Sequence, residues 1–136
     1  MVKAAFTGSF DPAHEGHLYV VRQAIKLGFK VLVFVANNSE KNYQHPLSIR
    51  RENAQKFLGV PCIAASSNNI GDEIKSFGCE IIIRGIRDEK DFRYEQAITD
   101  YNRRVNGIET IYIPAPPEFQ HISSSAIKGI SVCSIK

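Results

Sequence analysis

A chain of 136 residues, 43% hydrophobic and 23% charged, has the length and balance of one soluble globular domain that can bury a core without disulfides or metals. The formal net charge of +3 admits an anionic ligand. Acids are interleaved with the basic pairs Arg50/Arg51, Arg84/Arg87 and Arg103/Arg104, so the concentrated basic face of a nucleic-acid binder is not expected.

The N-terminus enters a strand pattern directly, with none of the architecture of a signal peptide. Val2, Ala4, Ala5 and Phe6 form an apolar run, after which Gly8, Ser9, Pro12 and Gly16 bend the chain. A helical pattern over residues 17–27 follows, carried by Leu18, Val21, Ala24 and Ile25 and stopped by Gly28. A strand that ends in a glycine-rich bend and feeds a helix brings backbone N–H groups and a positive dipole end to one point, which suits a phosphate. His14 and His17, three residues apart, share one side of that first turn.

Residues 30–36, Lys-Val-Leu-Val-Phe-Val-Ala, read as a strand covered on both faces. The polar loop 37–46 holds Lys41 and His45. Residues 48–58 read as a helix capped by Ser48, with Ile49, Ala54, Phe57 and Leu58 on its apolar side and Gly59 at its end. A third strand is expected over 60–65, and Ile70, Ile74 and Phe77 mark a short helix closed by Gly78. A fourth strand over 80–83 ends at Arg84-Gly85-Ile86-Arg87. The longest helical pattern spans 90–105, where Tyr94, Ala97, Ile98, Tyr101 and Val105 recur at three and four, and Tyr94 and Tyr101 are expected in the core. A fifth strand over 109–113 runs into Pro114, Pro116 and Pro117, and a last helix over 122–130 begins behind Ser123, Ser124 and Ser125.

Five alternations of strand and helix across short loops predict an α/β fold, a parallel sheet with helices on both faces, over a single domain of residues 1–136. Ligands of open α/β sheets lie at the carboxyl ends of the strands. Polar residues gather there: Ser9, His14 and His17 after the first strand, Lys41 after the second, Arg84 and Arg87 after the fourth, and Ser123, Ser124 and Ser125 after the fifth. Neither the dinucleotide fingerprint nor the P-loop occurs, nor HExxH, nor GxSxG. His14 and His17 lack a third ligand, and Cys62, Cys79 and Cys133 are scattered and odd in number, so neither a protein-held metal nor a disulfide framework is expected. No apolar run approaches the ~18 residues of a membrane span, which leaves a cytoplasmic setting as the expectation.

Three signatures in order make the chain resemble the HxGH nucleotidyltransferases and, within them, the phosphopantetheine adenylyltransferases. Gly8-Ser9-Phe10-Asp11-Pro12 leading into Glu15-Gly16-His17-Leu18 is similar to the opening shared across that superfamily. Ile83-Arg84-Gly85-Ile86-Arg87 with Asp91-Phe92-Arg93-Tyr94-Glu95, and Ile122-Ser123-Ser124-Ser125 with Lys128, resemble the phosphopantetheine enzymes in particular. The resemblance implies a Rossmann-like, doubly wound five-stranded parallel sheet. It also implies transfer of AMP from ATP to 4′-phosphopantetheine, with Mg²⁺ accompanying ATP and a homo-oligomer, commonly a hexamer.

Residue by residue, the resemblance implies catalytic roles for His17, Lys41 and Arg87. It places Ser9, Phe10, His17, Gly85, Ile86, Arg87, Glu95, Phe119, Gln120, His121, Ile122, Ser123, Ser124 and Ser125 on ATP. Ser9, Lys41, Ile70 and Arg84 would hold phosphopantetheine. Taken singly, Lys41, His45 and His121 read as solvated loop residues, Ser123 as a helix cap, and Arg84 and Arg87 as partners of Asp88, Asp91 or Glu95. Two other readings stay open: a nicotinamide mononucleotide adenylyltransferase, a group in which an HxxH-type opening like His14 to His17 is frequent, and a non-catalytic nucleotide- or coenzyme A-binding module.

Overall fold

The computed structural model describes residues 1–37, 42–66 and 69–116. Expectations for Lys41, Phe119, Gln120, His121, Ile122, Ser123, Ser124, Ser125, Cys133 and the helix over 122–130 lie outside the described residues. In chain order the elements are β1 (Lys3–Gly8), α1 (Glu15–Lys26), β2 (Lys30–Val35), α2 (Leu47–Leu58), β3 (Cys62–Ala64), α3 (Ile70–Ser76), β4 (Ile81–Ile86), α4 (Glu89–Tyr101), a π-helical turn (Asn102–Asn106) and β5 (Glu109–Pro114).

The five strands form one parallel sheet in the order β3-β2-β1-β4-β5. The chain winds outward from β1 to β3 and then crosses to β4 on the other side of β1, so the winding direction reverses between β1 and β4. Ligand crevices of doubly wound sheets lie at that reversal. The register shows why one opens here. β1 and β4 pair only from Ala4 opposite Ile81 to Phe6 opposite Ile83, whereas β4 stays paired with β5 as far as Ile86 opposite Pro114. Beyond Phe6 and Ile83 the backbones of the two central strands are no longer paired with each other, and a gap in the ladder opens at their carboxyl ends.

Apolar side chains of alternate strand positions feed two cores. Ala4, Phe6, Val31, Val33, Val35 and Ile83 face Val20, Val21 and Ala24 of α1 and Ala54 and Leu58 of α2. Ala5, Leu32, Phe34 and Ile82 face Ile74 of α3 together with Cys79 and Ile108. Helices therefore cover both faces, and the β-branched runs of β2 and β4 are the sequence mark of a doubly covered sheet. Gly59, at φ +71°, ends α2 in the left-handed conformation that glycine adopts without a Cβ penalty.

Several expectations are corrected. β4 does not stop before Arg84 but carries Arg84, Gly85 and Ile86 within the strand, because pairing with β5 continues after pairing with β1 has ended. Ser48 does not cap α2: Pro46 occupies the cap and no side-chain hydrogen bond is made there. α2 turns Arg50, Ala54 and Leu58 inward and leaves Ile49 and Phe57 exposed, and on α1 Ile25 is likewise exposed. Phe77 is partly exposed too, its ring edge-on to Phe34.

The largest correction concerns α4. Tyr94 is 61% exposed and Tyr101 52% exposed, with Ala97, Ile98 and Val105 also on the outside. The inward positions are polar: Glu95 is buried, Asp91 and Thr99 are half-buried, and Asn102 and Asn106 follow at helical spacing as buried residues. Their partners explain the inversion. Glu95 meets Arg84, Thr99 hydrogen-bonds the Tyr112 hydroxyl, and Asn106 donates to Asn102 while lying where a Cβ on Gly71 would stand. α4 thus packs on polar side chains of the sheet rather than on its apolar centre.

Candidate active site

The bend between β1 and α1 is built on aromatic rings. Phe10 has φ +47°, a conformation that costs a non-glycine residue of order 1–3 kcal/mol and persists only when its surroundings hold it. Its buried ring stands edge-on to Phe6 at 5.3 Å between centroids and 4.6 Å from the His17 ring. Phe10, expected from its family position to touch ATP, thus has its ring in the core beneath His17.

His14 and His17 form a reciprocal cap on α1. His14 Nδ1 accepts the Gly16 N–H at 3.1 Å, and His17 Nδ1 accepts the His14 N–H at 3.0 Å. Their rings stack with centroids 3.8 Å apart. A Cβ on residue 16 would stand 2.9 Å from His14 Cε1, so glycine between the histidines is what lets His14 fold back over the helix start. Burial holds both imidazoles neutral, His14 at about 4 and His17 well below its usual 6.5. Electrostatic coupling adds to this, from Arg87 at His14, and at His17 from His14, Arg84 and Arg87. A neutral imidazole whose Nδ1 accepts a backbone N–H carries its proton on Nε2. His17 is therefore a neutral Nε2–H donor.

Arg84 is clamped from two sides. Its Nε and Nη2 donate to the two Glu95 carboxylate oxygens at 2.8 and 2.6 Å, and its Nη1 donates to the Thr7 carbonyl at 2.5 Å and the Thr7 hydroxyl at 2.9 Å. Thr7 and Arg84 lie on the sheet face of Ala5 and Ile82, so the clamp spans the two strands where they part. Glu95, an expected nucleotide contact, is 5% exposed and lies behind Arg84. Arg87 pairs with Asp91, Nε to Oδ2 at 2.9 Å and Nη2 to Oδ1 at 3.1 Å. The Asp91 hydrogen bond raises the Arg87 pKa, and burial opposes that rise only in part.

Gly85 and Ile86 continue β4 beside them. A Cβ on Gly85 would stand 2.9 Å from Val20 Cγ2, so the bare α-carbon lets α1 close on β4. The Ile86 carbonyl accepts the Ala115 N–H at 2.8 Å. Ile70 opens α3 and packs against the second core. Ser9 lies on the bend, its carbonyl accepting from Arg50. Ser9, His14, His17, Arg84 and Arg87 are thus gathered around the ends of β1 and β4, while Ile70 packs on the core that Ala5 of β1 and Ile82 of β4 share.

Two buried polar residues beside the bend were given no role by the sequence. Arg50 is 2% exposed and bonds the carbonyls of Ser9, Ala36 and His45. Asp11 is buried, and its Oδ2 accepts the Gln44 N–H at 2.7 Å. Both join the β1–α1 bend to the segment before α2. Asp11 lay inside the opening signature, whereas Arg50 carried no local mark, because a charged residue in a helical pattern is ordinarily assigned to the solvent side.

The gap is lined by N–H donors and positive charge, which suits anionic oxygens in a transferring phosphoryl group. Cys62 and Cys79 are buried, with Cys62 pushed up to about 11 by burial, so neither offers a reactive thiolate. Among the described residues no three His, Cys, Asp or Glu side chains converge, and no helix is long and apolar enough to cross a membrane.

Residues 5–130 match the family model described as cytidylyltransferase-like. The chain is similar to the phosphopantetheine adenylyltransferase of Paenarthrobacter aurescens, 35% identical over 97% of this chain and 82% of that protein. The enzyme of the same name from Streptococcus pneumoniae is 36% identical over 92% of this chain and 80% of that protein. Among solved structures, a lipopolysaccharide core biosynthesis protein of Thermoplasma volcanium superposes with a TM-score of 0.63 at 21% identity, over 85% of this chain and 97% of that one. A bifunctional NMN adenylyltransferase/ADP ribose pyrophosphatase of Francisella tularensis gives 0.59 at 16% identity, over 88% of this chain and 40% of that one. These two share the fold. The matched opening, the donor-lined gap at the sheet reversal and the identity over most of both chains lead to one assignment: the chain belongs to the phosphopantetheine adenylyltransferase family of the cytidylyltransferase-like nucleotidyltransferases.

Proposed function

We propose that the chain transfers the AMP of ATP to the phosphate of 4′-phosphopantetheine, giving dephospho-coenzyme A and pyrophosphate. The observation that carries the reading is the 35% identity to a phosphopantetheine adenylyltransferase over nearly the whole chain. A phosphate oxygen of the acceptor attacks the α-phosphorus, a new P–O bond forms, the bond from the α-phosphorus to the bridging oxygen breaks, and pyrophosphate departs with that oxygen. The acceptor is already an anionic nucleophile, so the protein has to align the two phosphates and stabilise charge between them.

His17 suits that task as a neutral donor: its Nε2–H reaches an α-phosphate oxygen without a proton leaving the imidazole. Arg87, oriented by Asp91 through Nε and Nη2, serves the leaving phosphates, and Arg84, oriented by Glu95 and Thr7, serves the acceptor. Ser9 and the Phe10 backbone complete the β1 side. Lys41 and the segment Phe119, Gln120, His121, Ile122, Ser123, Ser124 and Ser125 keep the roles their family positions imply, as do Gly85 and Ile86 beside ATP and Ile70 along the pantetheine arm. Mg²⁺ is the proposed companion of ATP and would neutralise triphosphate charge. A cytoplasmic setting suits these substrates, and a second copy of the chain is the proposed cover for the exposed apolar stripe of α4.

The deciding measurement is pyrophosphate release from ATP offered phosphopantetheine, nicotinamide mononucleotide or no acceptor. Release with phosphopantetheine alone is expected. Turnover only with nicotinamide mononucleotide would overturn the reading, and nucleotide binding without turnover would make the chain a binding module. His17→Ala should lower kcat by at least ~100-fold with little change in KM, as loss of a transition-state donor does.

A further inference from the structure

Arg50 is a heavily bonded buried side chain that no motif marks. Residue 50 lies in the first turn of α2, and its side chain runs back toward the helix start, as helical side chains do. There the guanidinium makes contacts with three separate pieces of chain. Nη1 donates to the Ser9 carbonyl at 2.8 Å and to the Ala36 carbonyl at 3.2 Å, Nε donates to the His45 carbonyl at 3.0 Å, and Nη2 donates to the Asn37 side-chain oxygen. The Tyr43 ring covers the group, with its centroid 4.0 Å from Cζ. These partners are all neutral: three carbonyls, an amide and an aromatic face. Only the planar five-donor fork of arginine can serve carbonyls arranged this way, and lysine, with a single point of donation, cannot.

The Ser9 carbonyl connects this hub to the chemistry. A trans peptide is planar, with its N–H opposite its C=O, so fixing the Ser9 carbonyl on Arg50 turns the Phe10 N–H the other way. The next residue, Phe10, holds the left-handed backbone at φ +47° whose ring packs 4.6 Å from His17. A continuous line of contacts thus runs from Arg50 through the Ser9–Phe10 peptide to the ring that supports His17, while the same guanidinium ties the end of β2 through Ala36.

We propose that Arg50 is a positioning residue for the nucleotidyl transfer, setting the Ser9–Phe10 peptide and, through the Phe10 ring, the His17 donor. The proposal rests on the adenylyl-transfer reading for its kinetic readout, and it makes a separate structural statement about the bend that can be tested without turnover.

The test compares wild type, Arg50→Lys and Asn37→Ala for kcat, KM for ATP, the amide exchange of peptides covering 8–14, and the titration of His17 followed by imidazole NMR. Arg50→Lys should keep the fold by circular dichroism, lose ~30-fold or more in kcat with KM for ATP within about threefold, and exchange the 8–14 amides at least ~10-fold faster. The His17 pKa should rise toward 6.5, since a loosened Phe10 admits water to the ring. Asn37→Ala, which removes one contact and leaves the carbonyl set, should lose about threefold to fivefold in kcat and carries the test if Arg50→Lys does not fold. A folded Arg50→Lys protein with wild-type kcat and an unmoved His17 titration would overturn the proposal, as would an Asn37→Ala protein with wild-type kcat should Arg50→Lys not fold. Wild type that turns over no phosphopantetheine would fail the functional reading alone, because the exchange and titration readouts would still decide the role of Arg50.

Discussion

α1 and α4 are close to the same length, 12 and 13 residues, and both carry an apolar stripe, yet they turn it in opposite directions. α1 buries Val20, Val21 and Ala24 against the sheet and presents histidines at its mouth. α4 buries Glu95 and leaves Tyr94, Ile98 and Tyr101 outside. The difference lies in what each helix meets. α1 lies over the apolar residues of β1, β2 and β4, where burial returns about 25 cal/mol per Å². α4 lies over Arg84 and Tyr112, where the sheet has already placed polar groups that need partners. A helix obeys the surface it lands on.

The sharpest way to break the comparison is to remove the polar anchor of α4. Glu95→Ala leaves the Arg84 guanidinium without its carboxylate at a mostly buried site and should cost about 2–3 kcal/mol in urea unfolding. Glu95→Gln, which keeps acceptor capacity for one N–H, should cost roughly half as much. If Glu95→Ala cost no more than an ordinary surface change, α4 would not be held by its polar face at all.

The mouth of α1 supplies the next effect. Unfolded histidines titrate near 6.5, whereas folded His14 titrates at about 4 and folded His17 well below 6.5. As pH falls through 6.5 the unfolded chain takes up protons that the folded chain refuses, so stability falls with acid and is fully present above the unfolded value. Unfolding free energy measured at intervals from pH 7.5 to 4.5 should decline more steeply in wild type than in His14→Asn, which keeps a capping side chain and loses the titration. Equal slopes would place the acid sensitivity elsewhere.

The smallest effect on the folded chain itself should come from the stripe. Tyr101→Ser should change the stability of the isolated chain by less than ~0.5 kcal/mol, as exposed substitutions do. Val21→Ala on α1 should cost about 2 kcal/mol by opening the core. Sedimentation should invert the ranking, with Tyr101→Ser weakening self-association and Val21→Ala leaving it intact. A wild-type chain that sediments as a monomer at all concentrations would remove the second copy as the cover of α4.

The site was legible where local chemistry forces a pattern. Glycine between two histidines, the apolar strand before them and the arginines after β4 are short-range features, and the structure gathers His14, His17, Arg84 and Arg87 at one gap. Partnership was not legible. Nothing local in the sequence pairs Glu95 with Arg84, or Arg50 with carbonyls 41 and 14 residues away.

By itself the sequence determined the alternation of strands and helices, the doubly covered sheet and the phosphate-suited bend, because backbone propensity, apolar periodicity and glycine geometry act over a few residues. Only the tertiary structure decided that β4 runs on through Arg84, that α4 faces its polar side inward and that Arg50 lies beneath the bend. Each of these depends on which distant strand end supplies a neighbour, and a buried charge becomes stable only when those remote carbonyls or carboxylates are in place to satisfy it.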